Sequence, residues 1–427
     1  MTSVIPRRMI SGRFDSLQLP FDVLALVITF HADVCSLLGM MQTCRDLYQV
    51  GIRHLATKAN DLVFFTTPEQ IASFCLFMHG NVEYRSSFLR RLSIEFNIYK
   101  DWSKSSEDFK LFATILRHAT RLECLGFWNL EDFLIDVPEM VTAIASLTSI
   151  TSMDIESQDT YTSDNAYRMV QKMQSPVTNL TLGEISSENY SPLPFIEAFQ
   201  NSLRELSIHD ASDICMELWS SNIVVPRLDL LVLHGLWPHN ADIESLILAF
   251  PNISRLYAYT LTDDETDEDR AFQRSANLDA QKSVSWPSLE ILCGDVTTLW
   301  TLGLTCRVRC LKFWESVYCE DLPLFKDIIQ CCKPNWLYVI LKGREEDSPE
   351  GPNRPVLTLP PVDRIQGMIA HDLLQLDLRI YLNGNFTVKS FNLLLDQIRD
   401  LGSLTSLRIL GLSIYVHCAG SELIAFH

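Results

Sequence analysis

LRELSIH at residues 203–209, LDLLVLH at 228–234 and ISRLYAY at 253–259 decide the fold of this 427-residue chain. The three stretches share one frame, L-x-x-L-x-L-x with aliphatic or aromatic replacements, and recur at a fixed interval from Leu203 to Leu228 to Ile253. Side chains alternate along a strand, so positions four and six of the frame face one way and positions five and seven the other. One face is aliphatic. The other carries Ser207, His209, Val232, His234, Tyr257 and Tyr259. Each stretch therefore predicts a short strand buried on one side only.

The same frame extends in both directions. Its first positions fall at Leu89, Leu122, Ile150 and Val177 upstream, and at Leu289, Val308, Pro334, Leu373 and Leu404 downstream. The gaps average about 29 residues, a period of stacked structural repeats. Between these stretches apolar residues recur at three- and four-residue spacing: Phe109, Phe112 and Leu116; Met140, Val141 and Ile144; Ile243, Leu246, Ile247 and Phe250; Leu324, Phe325, Ile328 and Ile329; Phe391, Leu394, Leu395 and Ile398. That spacing puts each set on one helix face. Strand, helix, strand is the grammar of an α/β solenoid, with parallel strands on the concave side and helices outside.

Positions five and seven define the surface a ligand would meet. They supply Trp128, His209, His234, Tyr257, Tyr259, Lys312, Trp314 and Tyr338, with Asp377 and Arg379 further on. Large rings and cations at solvent-facing positions are the side chains that most often anchor protein interfaces, which makes these eight the candidate substrate-binding residues.

Composition narrows the partner. Residues 1–60 carry six Arg/Lys against four Asp/Glu, leaving 29 against 49 for the rest. An acidic body repels phosphate backbones and anionic lipid, so neither nucleic acid nor a membrane is expected as a partner, and a basic or neutral protein is. The twelve Cys lie scattered through apolar repeat positions and read as reduced, buried thiols of a cytoplasmic or nuclear protein. Asp15, Pro20, Asp22 and Asp33 interrupt the apolar stretch near the start, so no targeting or membrane-spanning segment is expected.

The first sixty residues follow another pattern. Leu19 and Pro20 open L-P-x-D-V-L-x-x-V-I, Leu37 and Leu38 form a pair, and C-R-x-L-Y closes at Cys44 to Tyr48. Pro20 and Asp22 mark a helix start, and the apolar residues from Val23 to Phe30 cover more of that helix than one buried stripe needs. An unaccounted apolar surface on so small a unit implies either a partner or a role as the cap of the repeat array.

This segment resembles the F-box over about residues 17–58. By that resemblance Leu19, Pro20, Val23, Leu24 and Val27 contact the Skp adaptor of a cullin-based ubiquitin ligase, with Leu38, Cys44 and Leu47 lining or supporting the same interface. The array is similar to the leucine-rich repeats of F-box proteins, particularly divergent fungal ones, over about residues 85–427. It departs from their pattern at the ninth position, where only Asn97 fits and Leu130, Ile185, Leu236, Leu261 and Leu412 are apolar.

The expected organisation is a disordered start at 1–16, an F-box-like three-helix module at 17–60, and a repeat solenoid at 61–427. Loop insertions are expected near 262–285 and 343–364, where the sequence runs TDDETDEDR and GREEDSPEGPNRP. The common phosphate-binding, zinc-protease and hydrolase motifs are absent, and no Cys or His falls at metal-ligand spacing, so no enzyme activity, cofactor or metal is expected. The implied role is substrate receptor of a Skp–cullin–F-box ubiquitin ligase. The alternative is a repeat scaffold for protein interaction with no ligase role.

Overall fold

The structure, a computed structural model, describes residues 23, 40–41, 45–57, 63–95, 106–157, 164–185, 191–212, 214–237, 241–260, 266–317, 321–342, 373–383, 407–417 and 424–426. Among these, fourteen strands form one sheet in strict sequence order. They are β1 Val63–Phe65, β2 Arg91–Glu95, β3 Cys124–Trp128, β4 Ser152–Ser157, β5 Asn179–Ile185, β6 Glu205–Ile208 and β7 Leu230–His234. The sheet continues with β8 Arg255–Tyr259, β9 Ser288–Gly294, β10 Arg307–Val317, β11 Trp336–Lys342, β12 Gln375–Asn383, β13 Ile409–His417 and β14 Ile424–Phe426. All neighbours pair in parallel except β14, which runs antiparallel to β13.

Helices fill the connections from β1 to β11. The described ones are α1 Arg45–Thr57, α2 Pro68–His79, α3 Val82–Ser86, α4 Ser106–Arg117, α5 Leu130–Asp136, α6 Glu139–Ala145 and α7 Asp164–Lys172. They continue with α8 Leu193–Phe199, α9 Ile214–Ser220, α10 Ile243–Ala249, α11 Asp267–Ala280, α12 Val296–Leu302 and α13 Leu322–Cys332. The α/β class and the alternation of strand and helix agree with the sequence reading.

The frame sets the packing. Leu203, Leu228 and Ile253 at position one, and Leu206, Ile208, Leu231, Leu233 and Leu256 at positions four and six, are buried in one continuous core. The helix residues Phe109, Phe112, Leu116, Met140, Ile144, Ile243, Leu246 and Phe250 close that core from the other side. Each such side chain contributes about 1.5–3 kcal/mol by leaving water. A backbone ladder binds unit to unit at position two: Glu123 N donates to Arg90 O at 2.7 Å, Thr151 N to Glu123 O at 2.8 Å, Thr178 N to Thr151 O at 2.8 Å and Arg204 N to Thr178 O at 2.7 Å. The ladder continues from Asp229 N to Arg204 O and from Ser254 N to Asp229 O. The apolar ninth positions Leu130 and Leu236 are buried. Backbone bonds cross between units there instead of a polar side-chain ladder, as in Asn129 N to Glu156 O at 2.8 Å and Leu236 N to Tyr259 O at 3.0 Å.

Several expectations need correction. The sheet begins one strand earlier than Leu89, because Val63 and Phe65 of β1 register with Leu92 and Ile94 of β2. The last unit starts at Leu407, not Leu404. Pairing of Leu376 with Leu410 and of Leu378 with Leu412 fixes that frame, and Leu404, Leu407 and Leu410, equally spaced, made the shift invisible in sequence. The stretch near 262–285, expected as a loop insertion, carries α11. Thr266 caps it by accepting from Asp269 N, and Asp267, Glu268 and Asp269 occupy its first turn, where the helix dipole favours carboxylates. Asn277, inside the same helix, is buried and donates to Ala241 O at 2.8 Å and Thr301 O at 2.9 Å, tying α11 to both neighbouring units. The expected insertion near 343–364 lies outside the described residues.

At the N-terminal side, α1 packs on the first repeats. Leu47 sits with Met41, Met40, Val50 and Phe77 of α2 in a small separate cluster. Arg85 of α3 donates to Tyr48 Oη at 3.0 Å and to the carbonyl of Phe77, and its guanidinium lies 4.7 Å from the Phe77 ring centroid.

Candidate functional site

The odd positions of the frame stand on the face of the sheet away from the helices. In β6, β7 and β8 buried and half-buried residues alternate strictly, leaving Glu205, Ser207, Leu230, Val232, His234, Arg255, Tyr257 and Tyr259 half-buried on the open face. In-register parallel pairing brings equivalent positions of adjacent strands to about 4.8 Å, the distance at which flat rings stack. Position seven uses this spacing. The His209 and His234 ring centroids are 4.8 Å apart, and those of His234 and Tyr259 are 4.9 Å apart with planes only 19° from parallel.

The next strand supplies no ring. At its seventh position Asp295 turns to cap α12, accepting from Thr298 N at 2.8 Å and from Thr260 N at 2.9 Å. The ladder bridges this gap, and Tyr259 meets Trp314 of β10 edge-on at 5.7 Å. Trp314 itself is 68% exposed.

Beyond Trp314 the open face deepens into a groove of about 770 Å³, lined by Tyr257, Lys312, Trp314, Trp336, Tyr338 and Arg379 among others. Two cations lie over two rings. Lys312 Nζ is 5.5 Å from the Trp336 centroid and Arg379 Cζ is 5.1 Å from that of Tyr338. The groove's carboxylate, Asp377, accepts from Trp336 Nε1 at 2.7 Å and from Gln375 Nε2 at 3.0 Å.

The electrostatics follow from burial. Tyr259 donates to Cys293 Sγ at 3.5 Å, and loss of solvent pushes its hydroxyl well above the ordinary tyrosine value, so it is a neutral donor. Burial, reinforced by the charge of His209, lowers the His234 pKa and favours its neutral form. On β4, burial raises the Asp154 carboxyl, an effect His209 partly offsets, and Asp154 Oδ1 is buried without a hydrogen-bond partner. By the same logic burial holds the Cys75 and Cys215 thiols up at about 12, which disfavours their reactive thiolate form.

The structure brings His209, His234, Tyr257, Tyr259, Lys312, Trp314 and Tyr338 together on one continuous face. Trp128 shares that face on β3 but stands apart from the ladder, because Glu156 and Gly183 occupy position seven of the two strands between. Trp336 was legible and missed: position three has the same parity as five and seven and so faces the same way. Of the candidate adaptor contacts, Val23 is 39% exposed and Leu47 is buried within its own chain. Leu19, Pro20, Leu24, Val27, Leu38 and Cys44 lie outside the described residues.

Among the described residues no group of three or more His, Cys, Asp or Glu could hold a metal ion, and no helix is long and apolar enough to cross a membrane. No protein-family model matches the chain, and no curated protein matches it.

Proposed function

We propose that the chain is a protein-recognition subunit of a Skp–cullin–F-box ubiquitin ligase, with its open sheet face holding a target and its N-terminal helices docking on the Skp adaptor. The observation that carries the recognition half is the ring ladder ending in an exposed Trp314 beside the groove. Large rings held at solvent by a rigid sheet lose little conformational entropy on binding. The adaptor half is supported by the L-P-x-D-V-L head with its C-R-x-L-Y tail. In this reading the chain carries no chemistry of its own, and transfer of ubiquitin belongs to partner enzymes.

A second reading has its own observation. Leu47 and Tyr48 tie α1 to the first repeats through Phe77 and Arg85, which is what a capping unit does, and a repeat scaffold with a capped end needs no adaptor. Co-purification with the Skp adaptor separates the two. The parent chain is expected to retain the adaptor and a Leu19→Ala/Pro20→Ala variant to lose it while melting at the same temperature. A parent chain that never retains the adaptor leaves the scaffold reading.

A further inference from the structure

Lys312 and Arg379 reach toward β11 from opposite sides, one from β10 and one from β12, and settle over different rings. Those rings, Trp336 and Tyr338, occupy alternate positions of a single strand, so they rise from the same face about 6.6 Å apart along its axis. The two cations are thereby spread along the strand direction and not focused on one point. Neither has a carboxylate within ion-pair distance among the described residues. Asp377 lines the same groove but ion-pairs with neither: its Oδ2 accepts from the neutral donors Trp336 and Gln375, its Oδ1 leans over Gly411 into the space a Cβ there would fill, and two cations against one carboxylate leave the groove net positive. In a chain of net charge −18, the groove is a local site for negative charge. On β10, within the register shift that follows Lys312, Trp314 presents an exposed ring on the side of the groove toward Tyr259.

We propose that this groove binds an extended acidic segment of a partner polypeptide, with carboxylates at residues i and i+2 against Lys312 and Arg379 and a large apolar side chain beyond the pair at the exposed Trp314. An extended chain repeats same-side groups at about 6.6–6.8 Å, which matches the spacing along β11 of the two rings over which the cations sit. A single phosphate group asks for donors converging on one centre, and a polyanion would meet the repulsion of the whole acidic body. Two separate carboxylates fit the spacing better. The proposal rests on the reading that the open face holds a polypeptide.

Fluorescence anisotropy on the full chain tests it, using a labelled peptide containing Glu-Ser-Glu-Ser-Phe. The expected result is saturable binding that weakens with salt, falls at least about tenfold when both Glu are replaced by Gln, and falls about fivefold for Lys312→Gln or Arg379→Gln, the size of one partly exposed charge contact. Circular dichroism melts check that the variants fold, and the peptide series on the unaltered protein gives the answer should either variant fail to. Equal binding of the Gln peptide, of a peptide with adjacent Glu residues, or of a singly phosphorylated peptide without the acid pair overturns the proposal. A photo-crosslinker at position 314 separates the two levels. A target captured there with no preference for the acid pair sinks the ligand class and leaves the recognition reading intact. No crosslink to any target, with no peptide bound, sinks both.

Discussion

The two halves of the open face share a scaffold and differ in almost everything else. Across β2 to β5, positions five and seven hold Ser93, Glu95, Gly126, Trp128, Asp154, Glu156, Thr181 and Gly183. Across β8 to β12 they hold Tyr257, Tyr259, Lys312, Trp314, Tyr338 and Arg379, with Cys293, Asp295, Ile340 and Asp377 between. One half is small and acidic, the other aromatic and mixed in charge. Underneath, both are the same protein: Leu92, Ile94, Leu125 and Phe127 in the first half, and Leu311, Phe313, Leu337 and Val339 in the second, are all buried. Positions one, four and six must fill a core of fixed thickness, whereas five and seven face solvent and are free to take whatever a partner requires.

The largest expected effect tests the sameness. Phe127→Ala and Phe313→Ala should each cost about 3–5 kcal/mol in urea unfolding, because both rings are fully buried under helices. A marked inequality between them would show that the halves do not share one kind of core. Next comes Gly294→Val. A side chain there collides with Ala258 O of the neighbouring strand and with Leu299 of α12, so a loss of about 1–3 kcal/mol is expected by the same measurement.

The acidic half has an electrostatic signature that the other lacks. With its pKa raised by burial, folded Asp154 holds its proton more tightly than in the unfolded chain, so its contribution is favourable at low pH and is lost as pH rises through the raised value. Asp154→Asn should therefore raise stability by about 1 kcal/mol near neutrality and by nothing below the usual carboxylate range, seen as melting temperatures that converge on acidification. Smaller still is Arg255→Met between the halves. Arg255 reaches Asp229 at 2.7 Å and Glu205 at 3.3 Å, but the groups are partly exposed, so a loss of about 0.5 kcal/mol is expected, vanishing in high salt. Trp314→Ala should leave the urea midpoint within about 0.5 kcal/mol of the parent while abolishing capture on the open face, since the ring is mostly exposed.

Much of this architecture was legible because the repeat is written in positions one, four and six, where a core tolerates few substitutes. Leu203, Leu206 and Ile208 announce a strand whatever lies opposite. The failures have physical causes. TDDETDEDR looks like solvated loop, yet carboxylates followed by a helix-forming run are also how a helix begins, and the deciding contact is the distant bonding of Asn277 to Ala241 and Thr301. The open-face residues were assigned by parity alone, which places His209, His234, Tyr259 and Trp314 on one face. It does not reveal that Asp295 would leave the row to cap a helix and let Tyr259 and Trp314 meet over the gap. Nor does parity show that Lys312 and Arg379 would seat on rings of a shared neighbour.

Among the described residues the outermost ribbons of this sheet, β1 and β14, are three residues long each, and one of them reverses direction. A row of unpaired amide and carbonyl groups is a template on which a second molecule can add its own strand, and a long parallel stack would be an efficient seed for fibre growth. Abbreviating both margins leaves such an intruder only a few bonds to make, and the reversed ribbon offers it the wrong polarity for continuing the stack. Among the described residues, then, the shortest strands stand where a long parallel stack is most open to addition.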